Sequence, residues 1–248
     1  MQLRIKQAFI LAAGLGKRMQ PVTNTIPKPM IEIKGQSLIT RTIDLLKECG
    51  IQKIVINSFH KADMLKQHIS THIKQTNPGI KIKVIEEEDL LETGGGIVNA
   101  LQYMANEPFF VVNSDSLWIS SENVFAYLMR LWDSKMHSLF LLQKTEEAVG
   151  YDHKGDFDLD QNNMLIRPTE YEKLPYAYAG VHITKPENFA GLKKERCKLM
   201  DIYDKHKKKD TYQNIHGVVF NGSWFHVGTE DSIKNTETLL ATLYKKTL

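Results

Sequence analysis

Residues 8–29, AFILAAGLGKRMQPVTNTIPKP, constrain this chain more than any other stretch: an apolar run stops at a glycine-bearing basic turn, and a lysine follows between two prolines. Ala8 to Ala13 reads as a short buried strand. Beyond it, Gly14 and Gly16 let backbone amides approach an anion that a side chain would fend off. Lys17, Arg18 and Lys28 add cationic groups. Pro27 and Pro29 are expected to hold Lys28 in an extended segment, because each fixes its own φ and the residue before a proline is biased away from the helical region. The order is that of a strand feeding a phosphate-handling loop. It is not a Walker A loop, since Gly16-Lys17 is followed by Arg18 with too few residues between the glycines. Nor is it a dinucleotide fingerprint, which needs glycine or alanine where Met19 stands.

The rest of the chain supplies a frame for that loop. Strands are expected at Ala8 to Ala13, Lys53 to Asn57, Lys81 to Glu86, Phe109 to Asn113 and Ser138 to Gln143, and helices at Ser37 to Cys49, Ala62 to Ile73, Gly96 to Met104 and Asn123 to Ser134. In the first helix Leu38, Thr42, Leu45 and Leu46 keep an apolar face near helical period, with Gly50 as a stop. Strands separated by helices imply parallel pairing with right-handed crossovers, hence an α/β fold with an open, doubly wound, mostly parallel sheet. Ligands of such sheets bind at the carboxyl ends of the strands, where the opening loop sits. After about residue 150 the texture changes to short, turn-rich pieces: GDFDLDQNN, YAYAGVHIT and WFHVGT. No linker separates them, so one domain is expected over 1–248, with an α/β part at 1–145 that carries the opening loop and a strand-rich closing part at 146–248. A last helix, Ser232 to Tyr244, is expected to pack Ile233, Thr236, Leu239 and Leu240.

Composition excludes several classes. With 42% hydrophobic and 25% charged residues, the chain has globular values rather than those of a disordered one. A net charge of +3 is too small to argue for nucleic acid, and KHKKKD at 205–210 reads as a solvated helix end. Cys49 and Cys197 lack C-x-x-C spacing, which argues against a zinc site or a disulfide scaffold and suits a reducing compartment. No apolar run approaches the ~20 residues of a membrane span, and FILAAG is too short for a secretory segment. The expectation is a cytoplasmic protein.

Three further strings carry chemistry. Leu91-Glu92-Thr93-Gly94-Gly95-Gly96 leads into a helix, although each glycine costs a helix interior about 1 kcal/mol relative to alanine; the glycines allow close backbone approach to a flat ligand, and the alternative is a flexible turn. Phe109 to Asp115 is a buried strand ending in N-S-D, whose aspartate would either project into the cleft and hold Mg²⁺ or cap the next structure. Trp224 to Thr229 holds His226, a ligand or a hydrogen-bonding core histidine. Asn99 and Asn113 are additional polar candidates.

G-x-G-x-R-x-x-P-x-T (Gly14 to Thr23) followed by Pro27-Lys28-Pro29 resembles the signature of the sugar-1-phosphate nucleotidyltransferases, and the likeness runs from Phe9 to about Ile233. LETGGGI is most similar to the N-acetylmuramate-1-phosphate uridylyltransferases of cell-wall recycling, with mannose-1-phosphate guanylyltransferases the near rival. The resemblance implies a Rossmann-like nucleotidyltransferase fold with a smaller sugar-binding part. It further implies nucleotide contacts from Leu11, Ala12, Ala13, Gly14, Gly16, Lys17, Glu87, Glu92, Thr93 and Gly94, and catalytic roles for Arg18 and Lys28. Sugar contacts would come from Asn113, Asp156 and Gly180. Asp115 matches the metal-binding aspartate, whereas His226 stands where most relatives carry a second one. Mg²⁺ is the expected cofactor, with Mn²⁺ the alternative because imidazole is softer than carboxylate.

The implied reaction joins a nucleoside triphosphate, UTP or GTP, to a sugar-1-phosphate and releases pyrophosphate. Positioning and charge neutralisation would do most of the work. The leading expectation is UTP with N-acetylmuramate-1-phosphate. The alternatives are a mannose- or heptose-1-phosphate guanylyltransferase and, in another class, a non-catalytic nucleotide-sugar sensor. Glu87 leaves the base open, because an acceptor-only carboxylate can take uracil N3–H or the guanine N1 and N2 protons. No nucleic-acid or membrane partner is expected, and the chain reads as a monomer or weak homodimer.

Overall fold

The computed structural model describes residues 4–73 and 79–246, so the outermost residues of the domain expected over 1–248 lie outside the description. The strands are β1 (Gln7–Leu11), β2 (Glu32–Ile33), β3 (Gln36–Ser37), β4 (Lys53–Ser58), β5 (Lys81–Glu86), β6 (Phe109–Asn113), β7 (Ser116–Ile119), β8 (Ser138–Lys144), β9 (Asp158–Leu159), β10 (Met164–Ile166), β11 (Tyr176–Thr184), β12 (Lys207–Lys208), β13 (Thr211–Val219) and β14 (Ser223–His226). The helices are α1 (Leu38–Glu48), α2 (Ala62–His68, continued by a π-helical turn Ile69–Ile73), α3 (Glu92–Leu101), α4 (Val124–Leu131), α5 (Leu199–Tyr203) and α6 (Glu230–Lys246). A ten-stranded sheet runs β5-β4-β1-β6-β11-β8-β13-β10-β9, with β12 beside β13, and β2–β3 and β7–β14 form two small pairs.

The parallel order expected of a doubly wound sheet holds from β5 through β4 and β1 to β6. β1, β4 and β6 are buried on both faces, which is why they read as apolar runs, whereas the edge strand β5, KIKVIE, alternates exposed lysines with covered apolar residues. On β1, Ala8 and Ile10 join the core beneath α1 and α4, while Phe9 joins the opposite core with Ile97 of α3 and Ile202 of α5. Beyond β6 the order changes. β11 inserts antiparallel to both β6 and β8, so β8 keeps the direction of β6 without pairing to it, and β13 then pairs parallel to β8.

Caps set several boundaries. The Ser37 side chain accepts from Thr40 N and starts α1, and Asn123 accepts from Phe125 N and Ala126 N and starts α4. Thr229 and Ser232 exchange reciprocal bonds at the start of α6 (3.0 and 3.2 Å). Two expectations are corrected. Leu239 is exposed at 41%, so α6 buries Thr236 and Leu240 without it. Residues 205–210 do not end a helix but run from a 3₁₀ turn into the β12–β13 hairpin.

Candidate functional site

The carboxyl ends of β1, β4, β5 and β6 open onto one cleft of 470 Å³. Of the residues singled out in the sequence, Leu11, Ala12, Ala13, Gly14, Gly16, Lys17, Arg18, Lys28, Glu87, Glu92, Thr93, Asn113 and Asp115 line it, together with Leu15, Pro29, Asn57, Leu90, Ser114, Arg196 and Gly228. His226 stands beside it, within reach of Asp115. Gly94, Asp156 and Gly180 do not line it.

β1 ends at Leu11, two residues before the expected limit, because the Ala12 amide leaves the ladder and donates to Asn57 Oδ1 (2.7 Å). The two glycines of the following loop do different work. A Cβ on Gly14 would meet nothing within 4 Å, so that backbone faces open cleft. Gly16 has φ +63°, and a Cβ there would lie 2.7 Å from Thr23 Cγ2. Its carbonyl accepts from Met19 N (2.8 Å) and Thr23 Oγ1 (2.9 Å). Gly16 therefore fixes the loop and Gly14 opens it. Lys28 is not extended as expected. It is the first residue of a 3₁₀ turn, Lys28–Met30, closed by Met30 N to Pro27 O and Ile31 N to Lys28 O. Pro27 takes the extended conformation, and Pro29 falls early in the turn, where a missing N–H costs nothing.

This turn sends Lys28 Nζ to 2.6 Å from Asp115 Oδ2. Burial by itself would raise the Asp115 carboxyl, but the Lys28 ammonium and the adjacent His226 hold it far below the usual carboxylate range. Asp115 Oδ1 is buried and has no hydrogen-bond partner. Among the described residues no three His, Cys, Asp or Glu side chains form a cation cage. Mg²⁺ does not need one, since it commonly takes one or two carboxylates and completes its shell with phosphates and water. The free lone pairs of Oδ1 fit that role. His226 faces two acceptors, Gly150 O at Nδ1 (3.2 Å) and Asp115 Oδ2 at Nε2 (3.4 Å). A Cβ on Gly228 would sit 2.8 Å from His226 Cε1, so the glycine of WFHVGT makes room for this ring.

At the other end of the cleft Glu87 is buried, and desolvation raises its carboxyl against the opposing hydrogen bonds from Asn57 and Leu91. Asn57 Nδ2 donates to Oε1 (2.8 Å) and Leu91 N to Oε2 (3.4 Å). Asn57 was missed in the sequence. Its signal was its place at the carboxyl end of a strand next to β1.

The glycine triplet behaves differently from expectation. α3 starts at Glu92 rather than Gly96, and the backbone that approaches the glycines is the chain's own. The Gly94 and Gly95 amides donate to Cys197 O (3.0 and 3.2 Å), and a Cβ on Gly95 would lie 2.1 Å from Glu195 O. Gly94 thus docks residues 195–198 rather than lining the cleft. Those residues bring in Arg196, which no sequence motif marks. Gly180, at φ +77°, likewise makes room for protein, since a Cβ would lie 2.1 Å from Ser116 Oγ. Asp156 Oδ2 is occupied by Tyr151 OH (2.9 Å) and Tyr178 N (2.8 Å), which ties its loop to β11.

An open glycine loop, cations and a half-buried aspartate gathered at the switch point of a mixed α/β sheet define a nucleotide-handling transferase of Rossmann-like architecture. The chain belongs to the nucleotidyl transferase family, whose pattern matches residues 7–242. It is 34% identical over 95% of its length to the N-acetylmuramate alpha-1-phosphate uridylyltransferase of Caulobacter vibrioides, covering 97% of that protein. It is 28% identical over 74% of its length to the D-glycero-alpha-D-manno-heptose 1-phosphate guanylyltransferase of Campylobacter jejuni, covering 77% of that protein. Its fold is similar to that of UDP-glucose pyrophosphorylase complexed with UDP-glucose, with a TM-score of 0.76, 21% identity, and 98% and 99% of the two chains covered. The chain is a sugar-1-phosphate nucleotidyltransferase.

Proposed function

We propose that this enzyme transfers the uridylyl group of UTP to N-acetylmuramate α-1-phosphate, giving UDP-N-acetylmuramate and pyrophosphate. The observation that carries the reading is the 34% identity to the Caulobacter enzyme along almost the whole of both chains. In this reading the chain is one domain, with the nucleotide part at 1–145 and the sugar part at 146–248.

The base lies against Glu87, whose carboxylate accepts uracil N3–H. The triphosphate follows the open backbone at Gly14, with Lys17 and Arg18 on its outer phosphates. A sugar phosphate oxygen attacks the α-phosphorus, the bond from that phosphorus to the bridging β-phosphate oxygen breaks, and pyrophosphate carries away the electron pair. Lys28 neutralises the reacting phosphates, while Arg18 and Lys17 stabilise the charge collecting on pyrophosphate. Asp115 would hold a divalent ion, which when bound would supply neutralisation of phosphate charge; Asp115 itself stays ionised because Lys28 and His226 face it.

A guanylyl transfer to mannose- or heptose-1-phosphate is the second reading, favoured by the same carboxylate, which matches guanine N1–H and N2–H. Pyrophosphate release with UTP and GTP, each against the muramate, mannose and heptose phosphates under Mg²⁺ and Mn²⁺, separates the two. Release with UTP and the muramate phosphate alone is expected. Release with GTP alone sinks the uridylyl assignment, and nucleotide-sugar binding without turnover would mark a sensor.

A further inference from the structure

Arg196 reaches the cleft from residues that have no other business there. Residues 195–198 are strapped across the start of α3 by Gly94 N and Gly95 N to Cys197 O, and by Cys197 N to Leu91 O (3.1 Å). No side chain fits at Gly95, where a Cβ would meet Glu195 O at 2.1 Å. The strap holds the Arg196 guanidinium on Glu92, with Nη2 2.6 Å and Nε 2.8 Å from Oε1. Both nitrogens converge on that one oxygen. Oε2 keeps its lone pairs, and Glu92 and Arg196 both line the cleft.

Glu92 is also held in an unusual backbone state. Its φ is +58° at the first residue of α3, a conformation that a residue with a Cβ adopts at a cost and keeps only where its surroundings fix it. One residue earlier, Leu91 N bonds Glu87 Oε2 (3.4 Å), so the Glu92 side chain follows directly after the group placed at the base. A nucleotide with its base at Glu87 and its phosphates at Gly14 to Arg18 has its ribose between them. A carboxylate is an acceptor only, and ribose hydroxyls are donors.

We infer that Arg196 is a positioning residue that fixes the Glu92 carboxylate so that Oε2 accepts a ribose hydroxyl, giving the cleft a preference for ribonucleoside over 2′-deoxyribonucleoside triphosphates. The inference rests on the reading of the cleft as a nucleoside triphosphate site. Arg196 touches Glu92 and not the reacting atoms, so its loss acts on KM and on sugar discrimination while kcat stays within about twofold. A hydrogen bond to a charged group contributes roughly 1.5–3 kcal/mol, which converts to about tenfold or more in affinity.

The test compares UTP with 2′-deoxy-UTP, and GTP with 2′-deoxy-GTP, as kcat and KM for the wild type, Arg196→Ala, Arg196→Lys and Glu92→Gln. The wild type is expected to favour its ribonucleotide by about tenfold. Arg196→Ala should lose most of that ratio through KM for the ribonucleotide alone, and Arg196→Lys should restore part of it. Equal losses for the ribo- and deoxyribonucleotide in Arg196→Ala would show that the guanidinium acts on the base, the phosphates or the 3′-hydroxyl that both sugars carry, and would overturn the inferred ribonucleotide preference while leaving the transferase reading intact. A wild type that neither turns over nor binds any triphosphate removes both. Circular dichroism and melting of each variant separate a ribose effect from a detached strap, which would lower the melting temperature as well.

Discussion

Lys28 Nζ and Asp115 Oδ2 lie 2.6 Å apart although 87 residues separate them in sequence. The pair joins the loop after β1 to the end of β6, the two ends from which the cleft is built. It also uses only one oxygen of Asp115. With Oδ2 held, Oδ1 is left buried without a protein partner, so a paired and an unpaired oxygen sit side by side on one carboxylate.

Removing the ammonium should therefore affect chemistry more than folding. Lys28→Met is expected to lower kcat by roughly 10²–10³, the scale of losing a donor aimed at developing charge. Its cost in stability should fall below the ~3–5 kcal/mol of breaking a fully buried pair, because Asp115 is 20% exposed and keeps His226. Steady-state kinetics and urea unfolding on the same preparation decide this. An unfolding loss large enough to account for the kinetic one would place Lys28 in the scaffold.

The glycines make a paired prediction. A methyl on Gly14 meets nothing within 4 Å, whereas one on Gly95 lies 2.1 Å from a backbone oxygen. Gly14→Ala should melt within a degree or two of the wild type and yet raise the KM for triphosphate, since the methyl enters the space left for phosphate. Gly95→Ala should lose about 2 kcal/mol or more through a forced backbone shift. Thermal melts with and without nucleotide separate the two: nucleotide should raise the wild-type melting temperature far more than that of Gly14→Ala.

Much of this was legible in sequence, and the division has a physical basis. The parallel half of the sheet follows from apolar runs and helical spacing, and the glycine and cation loop identifies its own chemistry because type and order of residues suffice. What could not be read was where remote segments return. β11 inserts between β6 and β8 through pairing partners that no local pattern names. The glycine triplet advertised a close approach without saying what approaches, and at Gly94 and Gly95 it is residues 195–198 that do so. Arg196 and Asn57 belong to the cleft only through those tertiary returns. Gly180, a sugar contact by resemblance, takes its positive φ beside Ser116, a neighbour that no local pattern names.

Glu87 carries a prediction about why a carboxylate, and not an amide, stands there. Asn57 cannot flip to suit a neighbour, since its Oδ1 already accepts from Ala12 N (2.7 Å), so its Nδ2 must donate to Glu87. Leu91 N points at the second oxygen. Glutamine offers one acceptor to these two donors and leaves an N–H facing an NH₂. Glu87→Gln should cost about 1–2 kcal/mol, and Asn57→Ala in that background should add less than it does alone. A double-mutant cycle by denaturant unfolding measures the coupling, and strictly additive losses would refute it.

His182 makes the last prediction, on pH. It is buried in β11, its ring stacked on Phe140 at 4.4 Å, with Nδ1 2.7 Å from Tyr178 OH and Nε2 without a partner. Burial pushes its pKa down to about 3 from an ordinary 6.5. Between those values the unfolded chain binds a proton that the folded chain refuses, so stability rises with pH across the window and falls as the solution is acidified from 6.5 toward 3. Each pH step inside it carries about 1.4 kcal/mol, so going from pH 7 to pH 5 should remove about 2 kcal/mol through this residue. His182→Asn keeps a polar atom near Tyr178 OH but cannot take up the proton. It should start less stable at pH 7, because the stack on Phe140 is lost, and then decline less steeply toward pH 5. Urea unfolding of both proteins at half-unit pH intervals reads the difference in slope, which is insensitive to the carboxylates the two share. Parallel curves would mean that the folded protein admits the proton, and that the His182 ring is better solvated than its burial indicates.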